Sequence, residues 1–255
     1  MIVEGLVFLD FDGVICDSLL ECLVSSWQGY YQLYLGQQQT AVPMTLRREF
    51  SKLRPFVRAG EDFILIQELI DNQIPIRSQE QFDAQLAERG EDRMARYKEL
   101  FYTARRGFFF NHRRYWINLN KIYPHVYHSL RGWAASPCLY ILSTKRADYI
   151  VEILEAKNIR LDPHRVLSCG AKEKKNTILR TLDERGFTNA LFIDDQIDHL
   201  TADWARDPRI IGCLASWGYV KTQWLEEPRD IEVLHPDQLA ERVDRWLQHC
   251  PATRE

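Results

Sequence analysis

The sequence predicts an α/β protein in which helices cover a Rossmann-like parallel β-sheet. Three observations lead to this fold class. Short apolar runs typical of strands buried on both faces recur along the chain. Amphipathic helical patterns separate the later runs. A long segment between the first and second runs has a mostly helical pattern, which predicts a helical insert in the sheet domain.

The first predicted strand is LVFLDF, near the N-terminal end of the sequence. Its apolar residues are almost continuous rather than alternating, which is typical of a strand covered by helices on both faces. Four later segments repeat this pattern: CLYILST from Cys138, RVLSCG from Arg165, ALFIDD from Ala190 and RIIGCLA from Arg209.

Helical patterns lie between the later strands. In RADYIVEILEAKN, the residues Ile150, Val151, Ile153 and Leu154 fall on one side of a helix. KNTILRTLDERG is also helical in pattern, and Gly186 can end that helix in a left-handed conformation. Strands that alternate with helices of these lengths form βαβ units, which predicts a parallel sheet.

The segment between the first two strands has a different composition. Residues 17–120 carry many aromatic and charged side chains and no strand-like run. A long charged helix is expected in its second half, with a break near Gly90. We therefore predict a core domain of residues 1–16 and 121–255, into which a helical domain of residues 17–120 is inserted.

Composition limits the class of protein. The 255 residues are 45% hydrophobic and carry a formal net charge of -3, so the chain can bury a large core and has no electrostatic reason to bind nucleic acid. No apolar run reaches the roughly 18 residues of a membrane helix, and the N-terminus lacks a signal-peptide layout. We expect a cytoplasmic protein without membrane partners; the sequence sets no oligomeric state.

The six cysteines form no CxxC pair, so reduced thiols are expected.

Polar residues follow the predicted strands at the end where parallel α/β sheets bind ligands. Because the carboxyl ends of the strands lie along one edge, such residues can meet although they are distant in sequence. Carboxylates brought together there repel one another unless a cation neutralises them, and oxygen ligands suit Mg²⁺. The sequence therefore predicts a magnesium site. The polar residues at these ends are Asp10, Asp12, Ser143, Thr144, Asp194 and Asp195.

The spacing of Asp10 and Asp12 indicates phosphoryl chemistry. In extended backbone, side chains two residues apart lie on the same side. A carboxylate beside Mg²⁺ can attack phosphorus to form an aspartyl-phosphate, while the second carboxylate handles the proton of the leaving group. This division of labour is our hypothesis for why a buried strand ends in two aspartates.

The segment DFDGVICDS resembles the first motif of the haloacid dehalogenase superfamily, in its phosphatase and phosphoglucomutase branch. The similarity continues in chain order through YILSTK as the second motif, a lysine at a helix start as the third, LFIDDQIDHL as the fourth, and CLASWGYV as the fifth strand with its loop. The order and spacing of these segments are more specific than any one of them.

The resemblance implies a role for each matching residue. Asp10 is the expected nucleophile and a Mg²⁺ ligand, and Asp12 is the expected general acid and base, which also binds Mg²⁺ through its backbone carbonyl. Ser143 is expected to hydrogen-bond a phosphoryl oxygen. Asp194 or Asp195 is expected to complete the metal shell. The two could act together, which we place first, or Asp194 could act with Asp198 four residues further on. These roles suit the stabilisation of charge on a transferring phosphoryl group.

The third-motif lysine is left open by the sequence. GAKEKKNTIL lacks the Lys-Pro-x-Pro form common in the family, and it offers Lys172, Lys174 and Lys175. Counting back from Leu179 selects Lys172, whereas the shorter form of phosphoserine phosphatase-like members selects Lys175. Both remain candidates for the catalytic lysine, with Lys175 first.

The remaining candidates concern substrate binding. Gly13 and Thr144 stand beside the catalytic motifs, and Arg54 and Arg58 in the insert could present cations to an anionic substrate. The family places a helical cap directly after its first motif, which is the sequence position of residues 17–120. Such a cap closes over the site and selects the leaving group.

The leading functional hypothesis is a Mg²⁺-dependent phosphatase that hydrolyses a small phosphorylated metabolite through an aspartyl-phosphate. One alternative is a phosphotransferase of the β-phosphoglucomutase type. Another is a non-catalytic protein that binds a phosphorylated ligand and keeps the fold. The presence of both Asp10 and Asp12 favours an enzyme.

Overall fold

A computed structural model of the chain describes residues 5–38, 41–203, 205–226, 231–248 and 250. The chain divides into two compact units. The sheet unit consists of Met1–Asp17 together with Lys121–Glu255, and the helical unit is Ser18–Asn120. The helical unit therefore begins one residue later than the sequence predicts.

The sheet unit begins with its central strand. Strand β1, Gly5–Leu9, is buried along its whole length, as its continuous apolar sequence predicts. A tight turn follows, and the chain then forms the two-residue strand β2, Cys16–Asp17.

The described part of the helical unit, residues 18–38 and 41–120, contains five α-helices. The long fourth helix is interrupted at Gly90, whose φ of 73° is not helical, so the predicted break is confirmed. A segment of π-helix, Gln28–Tyr34, extends the first helix. The helices are α1, Leu19–Trp27; α2, Met44–Leu53; α3, Asp62–Asp71; α4, Gln79–Asn111; and α5, Arg113–Leu119.

A buried ion pair lies in the core of the helical unit. The carboxylate of Glu21 on α1 accepts hydrogen bonds from Nε and Nη2 of Arg105 on α4, at 2.9 and 2.8 Å. Trp116 Nε1 on α5 and Ser25 Oγ donate to the same carboxylate at 3.0 and 2.7 Å. The Glu21 side chain is 0% exposed, so this charge depends wholly on its protein partners.

The chain returns to the sheet unit beside its point of exit. Strand β3, Lys121–Ile122, pairs antiparallel with β2, so that Cys16 faces Ile122 and Asp17 faces Lys121. The connections into and out of residues 18–120 are therefore neighbouring strands.

The rest of the sheet unit alternates helices and strands. Its six-stranded sheet has the order β5-β4-β1-β6-β7-β8 with every neighbouring pair parallel, which confirms the predicted Rossmann-like α/β fold. The elements are α6, Pro124–Trp133; β4, Leu139–Ser143; α7, Ala147–Ala156; β5, Val166–Ser168; α8, Lys174–Arg185; β6, Asn189–Asp194; α9, Asp198–Thr201; β7, Ile210–Ala215; α10, Thr222–Glu226; β8, Glu232–Leu234; and α11, Leu239–Leu247.

The expectation that all cysteines are reduced is wrong for one pair. Cys138, which precedes β4, forms a disulfide with Cys250, which follows α11. The two are 112 residues apart in sequence, so the tertiary structure brings them together and no local motif announces the pairing. The other four cysteines, all within the described ranges, form no disulfide.

Across the described ranges, none of the helices combines the length and the apolar character needed to cross a bilayer.

Candidate active site

The first two carboxylates of the site stand at the ends of neighbouring strands. Leu9 of β1 pairs with Ile193 of β6, and the backbone N–H of Asp10 donates to the Ile193 carbonyl at 2.9 Å. Asp10 and Asp194 therefore leave the sheet side by side. Both are buried, and carboxylate oxygens of Asp10, Asp194 and Asp195 lie within 4.8 Å of one another.

Lys174 is the lysine that reaches these carboxylates. Its Nζ lies 2.9 Å from Asp10 Oδ1 and 2.6 Å from Asp194 Oδ2, and its side chain is 2% exposed. The prediction of Lys175 or Lys172 as the catalytic lysine stays a prediction, but neither side chain lies in the position of Lys174, since Lys172 is exposed and Lys175 is only partly buried. The physical reason is helical periodicity.

The buried face of α8 shows this periodicity. Lys174 is the first residue of the helix, and Thr177, Ile178, Thr181 and Leu182 are buried with it. Residues three and four apart share one face of a helix, so the apolar positions select residue 174 and not its neighbours.

Asp194 is held by three groups of the sheet unit. Besides Lys174, the backbone N–H of Gln196 donates to its Oδ1 at 2.9 Å, and His199 Nδ1 lies 2.9 Å from its Oδ2. Because a carboxylate only accepts, His199 donates this hydrogen bond. Burial raises the pKa of Asp194, but the charge of Lys174 and the contact with His199 outweigh burial and hold that pKa below its usual range.

Asp195 is fixed by the loop that follows β7. The backbone N–H of Tyr219 donates to Asp195 Oδ2 at 2.6 Å. Gly13 and Gly218 allow this close approach: a Cβ on Gly13 would lie 2.0 Å from Asp195 Oδ2, and one on Gly218 would lie 2.3 Å from Asp195 Cβ. The close approach of Asp195 therefore explains why residue 13 is a glycine. The predicted role of Gly13 in substrate binding stays a prediction.

We expect Gly13→Ala to destabilise the sheet unit more than a glycine replacement that costs backbone strain alone. Gly13 has a φ of +94°, which costs an L-residue about 1–2 kcal/mol, and the collision with Asp195 adds an overpacking cost of about 1–3 kcal/mol. Urea unfolding of both variants measures the difference. Gly186→Ala is the matched control, because Gly186 has a φ of +72° and open space around it. Equal losses in the two variants would contradict the collision.

Asp12 lies beside a second buried lysine. Lys145 Nζ is 2.9 Å from Asp12 Oδ1, and the Lys145 side chain is 0% exposed. Lys145 follows β4 by two residues, and its backbone N–H donates to Ser143 Oγ at 3.3 Å. Ser143 is buried at the end of β4, the neighbour of β1 in the sheet. Thr144 is partly buried beside it.

The charges of this cluster leave room for a divalent cation. Among the described residues, the carboxyl groups of Asp10, Asp12, Asp194 and Asp195 meet the ammonium groups of Lys145 and Lys174, an excess of two acidic groups in a buried region. Oxygen donors with that excess suit Mg²⁺. The donor set therefore fits this ion.

The pKa of Asp10 reflects first its burial and then its acidic neighbours. Burial raises this pKa to about 8, against the opposing charge of Lys174, and the carboxylates of Asp194 and Asp195 add to the rise. A divalent cation at these oxygens would favour the ionised form of Asp10, which is the form that can act as a nucleophile.

Arg54 and Arg58 each have partners inside the helical unit. Arg58 Nη1 donates to Asp83 Oδ1 at 2.6 Å, and the Arg54 guanidinium lies 5.2 Å from the centre of the Phe63 ring. These contacts give both arginines a structural role there. Their predicted contribution to substrate binding stays a prediction.

Sequence reasoning did not select three polar residues that the structure places in this cluster: Lys145, Lys174 and His199. Lys174 could have been found from the buried face of its helix. Lys145 directly follows the strand-end residues Ser143 and Thr144, but a lysine there is read as a solvated side chain. His199 stands five residues after Asp194, a spacing that places it near Asp194 only once the short helix α9 is known.

Comparison with known proteins rests on structure, since no protein-family model and no curated protein matches the sequence. A haloacid dehalogenase-like family hydrolase from Streptococcus pneumoniae is 17% identical, with a TM-score of 0.58 over 95% of this chain and 100% of that chain. A predicted phosphoglycolate phosphatase from Haemophilus somnus is 15% identical, with a TM-score of 0.59 over 94% and 98% of the two chains. A predicted phosphatase from Clostridium acetobutylicum is 15% identical, with a TM-score of 0.54 over the same shares. These similarities show that the chain has the haloacid dehalogenase-like fold.

Proposed function

We propose that this protein is a Mg²⁺-dependent phosphatase that hydrolyses a small phosphate monoester through an aspartyl-phosphate at Asp10. The observation that carries the proposal is the contact of Lys174 Nζ with both Asp10 and Asp194 at the ends of neighbouring strands. A buried ammonium between two carboxylates at a strand-end edge is suited to neutralise the charge of a phosphoryl group. The named phosphatases among the structures of similar fold support the same chemistry.

The proposed roles follow from the position of each side chain. Asp10 attacks the phosphorus, and Asp12, two residues further on, gives a proton to the leaving oxygen and later takes one from water. Lys174 offsets the charge of the phosphoryl oxygens and of Asp10. Ser143, at the end of the adjacent strand, donates a hydrogen bond to a phosphoryl oxygen.

Asp10, Asp194 and Asp195, with the backbone carbonyl of Asp12, are proposed to hold the Mg²⁺ ion. The ion would supply charge neutralisation for the phosphate group and keep Asp10 ionised. The helical unit, residues 18–120, occupies the sequence position of the cap in the haloacid dehalogenase superfamily. We assign to it the choice of leaving group, and the substrate is a small phosphorylated metabolite.

Asp10→Asn is expected to abolish Mg²⁺-dependent phosphate release, and Asp12→Asn is expected to lower it strongly. The substitutions are nearly isosteric, so folding is retained while the nucleophile or the proton carrier is removed. Loss of general acid and base catalysis alone lowers kcat by about 10²–10⁴-fold. The measurement is phosphate release from a panel of monoesters, with and without Mg²⁺, and Asp162→Asn on the surface serves as the control.

A thermal-shift measurement tests the nucleophile independently of turnover. Beryllium fluoride mimics an acyl-phosphate, so it should raise the Tm of the wild type only when Mg²⁺ is present, and Asp10→Asn should lose this coupled shift. Phosphate release by Asp10→Asn at the wild-type rate would refute the proposed intermediate. A coupled shift without release from any ester would instead favour transfer to a hydroxyl acceptor.

A further inference from the structure

Lys145 is so deeply buried that its positive charge needs a partner inside the protein. Its side chain is 0% exposed, its Nζ lies 2.9 Å from Asp12 Oδ1, and it stands 5.6 Å from the centre of the Phe11 ring. Burying an ammonium costs several kcal/mol unless a partner compensates it. Such a side chain is no ordinary surface lysine, and the carboxylate that meets it is the proposed proton carrier.

The surrounding backbone fixes this lysine in place. The Lys145 N–H donates to Ser143 Oγ, so the lysine and the phosphate-binding serine are held by one turn after β4. Asp12 belongs to the turn after β1, the strand beside β4. The ion pair thus links two neighbouring strand ends, and neither partner lies in the helical unit.

We propose that Lys145 is a positioning residue that holds Asp12 by its Oδ1, so that Oδ2 is the atom that exchanges protons with the leaving group and with water. The inference rests on the proposed phosphatase function. A proton carrier works only within hydrogen-bond reach of the oxygen that it serves. An ammonium on one carboxylate oxygen sets the orientation of the other.

Both half-reactions use the same atom. In the first, a bond forms between an Asp10 oxygen and phosphorus, the bond from phosphorus to the leaving oxygen breaks, and the proton on Asp12 Oδ2 moves to that oxygen. In the second, water attacks phosphorus and gives a proton to Asp12 Oδ2, while the bond between phosphorus and Asp10 breaks. Because Asp12 pairs with Lys145 in its ionised form, the proton that it donates arrives with the substrate, bound as a phosphate monoanion, and the proton taken from water leaves with the inorganic phosphate.

The consequence is a dependence on the leaving group. An alkyl alkoxide needs a proton to depart, whereas p-nitrophenolate departs without one. Loss of the correct Asp12 orientation should therefore slow the first half-reaction of alkyl esters far more than that of p-nitrophenyl phosphate. A lysine needed only for folding would affect both substrates equally.

The test is a double-mutant cycle of Lys145→Met and Asp12→Asn, measured as kcat/KM for an alkyl phosphate and for p-nitrophenyl phosphate. Lys145→Met should lower kcat/KM for the alkyl ester by about 10²-fold, and that for p-nitrophenyl phosphate by less than about 10-fold. In the Asp12→Asn background, Lys145→Met should change neither value further, because Lys145 acts through Asp12. Lys98→Met, on the exposed surface, is the control.

Folding is checked by thermal unfolding of every variant, and Lys145→Gln, which keeps a hydrogen-bond donor, replaces Lys145→Met if the latter does not fold. Equal losses for the two esters, or additive losses in the double mutant, would overturn the role of Lys145 while the phosphatase proposal stands. A wild type that releases phosphate from no ester would refute the phosphatase proposal and this inference with it.

Discussion

Lys174→Met is expected to lower kcat for phosphate release by about 10²–10³-fold, which is the usual cost of removing a positioned group that stabilises charge in the transition state. Lys174 Nζ lies within hydrogen-bond distance of both Asp10 and Asp194, so the substitution removes one positive charge from both carboxylates. Steady-state phosphate release at saturating Mg²⁺ measures the effect.

Two neighbouring lysines provide matched controls for this prediction. Lys172→Met and Lys175→Met make the same chemical change within three residues, on side chains that are exposed or only partly buried. Each should keep kcat within about two-fold of the wild type, as surface substitutions usually do. If Lys175→Met were the inactive variant and Lys174→Met the active one, the assignment made from the structure would be wrong.

Arg105→Met is expected to destabilise the helical unit by about 3–5 kcal/mol, because it leaves the carboxylate of Glu21 buried without its opposite charge. Burial of Glu21 is complete, and Trp116 and Ser25 supply only neutral hydrogen bonds. Glu21→Gln should have an effect of the same sign. Urea unfolding, followed by far-ultraviolet circular dichroism, gives the free energy of unfolding of each variant.

The double variant Glu21→Met with Arg105→Met separates the ion pair from simple packing. Removing both charges leaves no unpaired ion, so its cost should be less than the sum of the two single costs. The exposed pair of Lys52 and Glu49 is the control: Lys52→Met should cost less than about 1 kcal/mol. If the two single losses in the free energy of unfolding simply added up in the double variant, the interaction between Glu21 and Arg105 would contribute nothing to stability.

The sheet and its carboxylates could be predicted from the sequence because one rule links them. A strand buried on both faces shows itself by a continuous apolar run, and the residues that follow such runs gather at one edge of a parallel sheet. Asp10 and Asp194 illustrate this. Leu9 pairs with Ile193, and each aspartate is the next residue in its chain segment. The short strand β8 escaped prediction because its three residues carry no such run.

Other features depend on tertiary contacts that leave no local pattern. The Cys138–Cys250 disulfide joins two segments 112 residues apart. Lysine and histidine are residue types common on protein surfaces. Lys145 and His199 reach Asp12 and Asp194 only because the turn after β4 and the helix α9 place them there. Lys174 is different, because the stripe formed with Ile178 and Leu182 was present in the sequence; counting from family spacing instead of helical period favoured Lys175 and Lys172 over it.

The antiparallel pair of β2 and β3 determines how easily the inserted segment between them can be replaced. Asp17 faces Lys121, and facing residues in such a pair lie about 4.5–5.5 Å apart, a gap that an ordinary hairpin turn can bridge. Residues 18–120 therefore connect β2 and β3 in the way that the loop of a β-hairpin connects its two strands. Because the entropy of closing a loop grows slowly with its length, this segment can be lengthened or exchanged at little cost to the strands. The junction is a module boundary at which one catalytic framework can acquire another specificity.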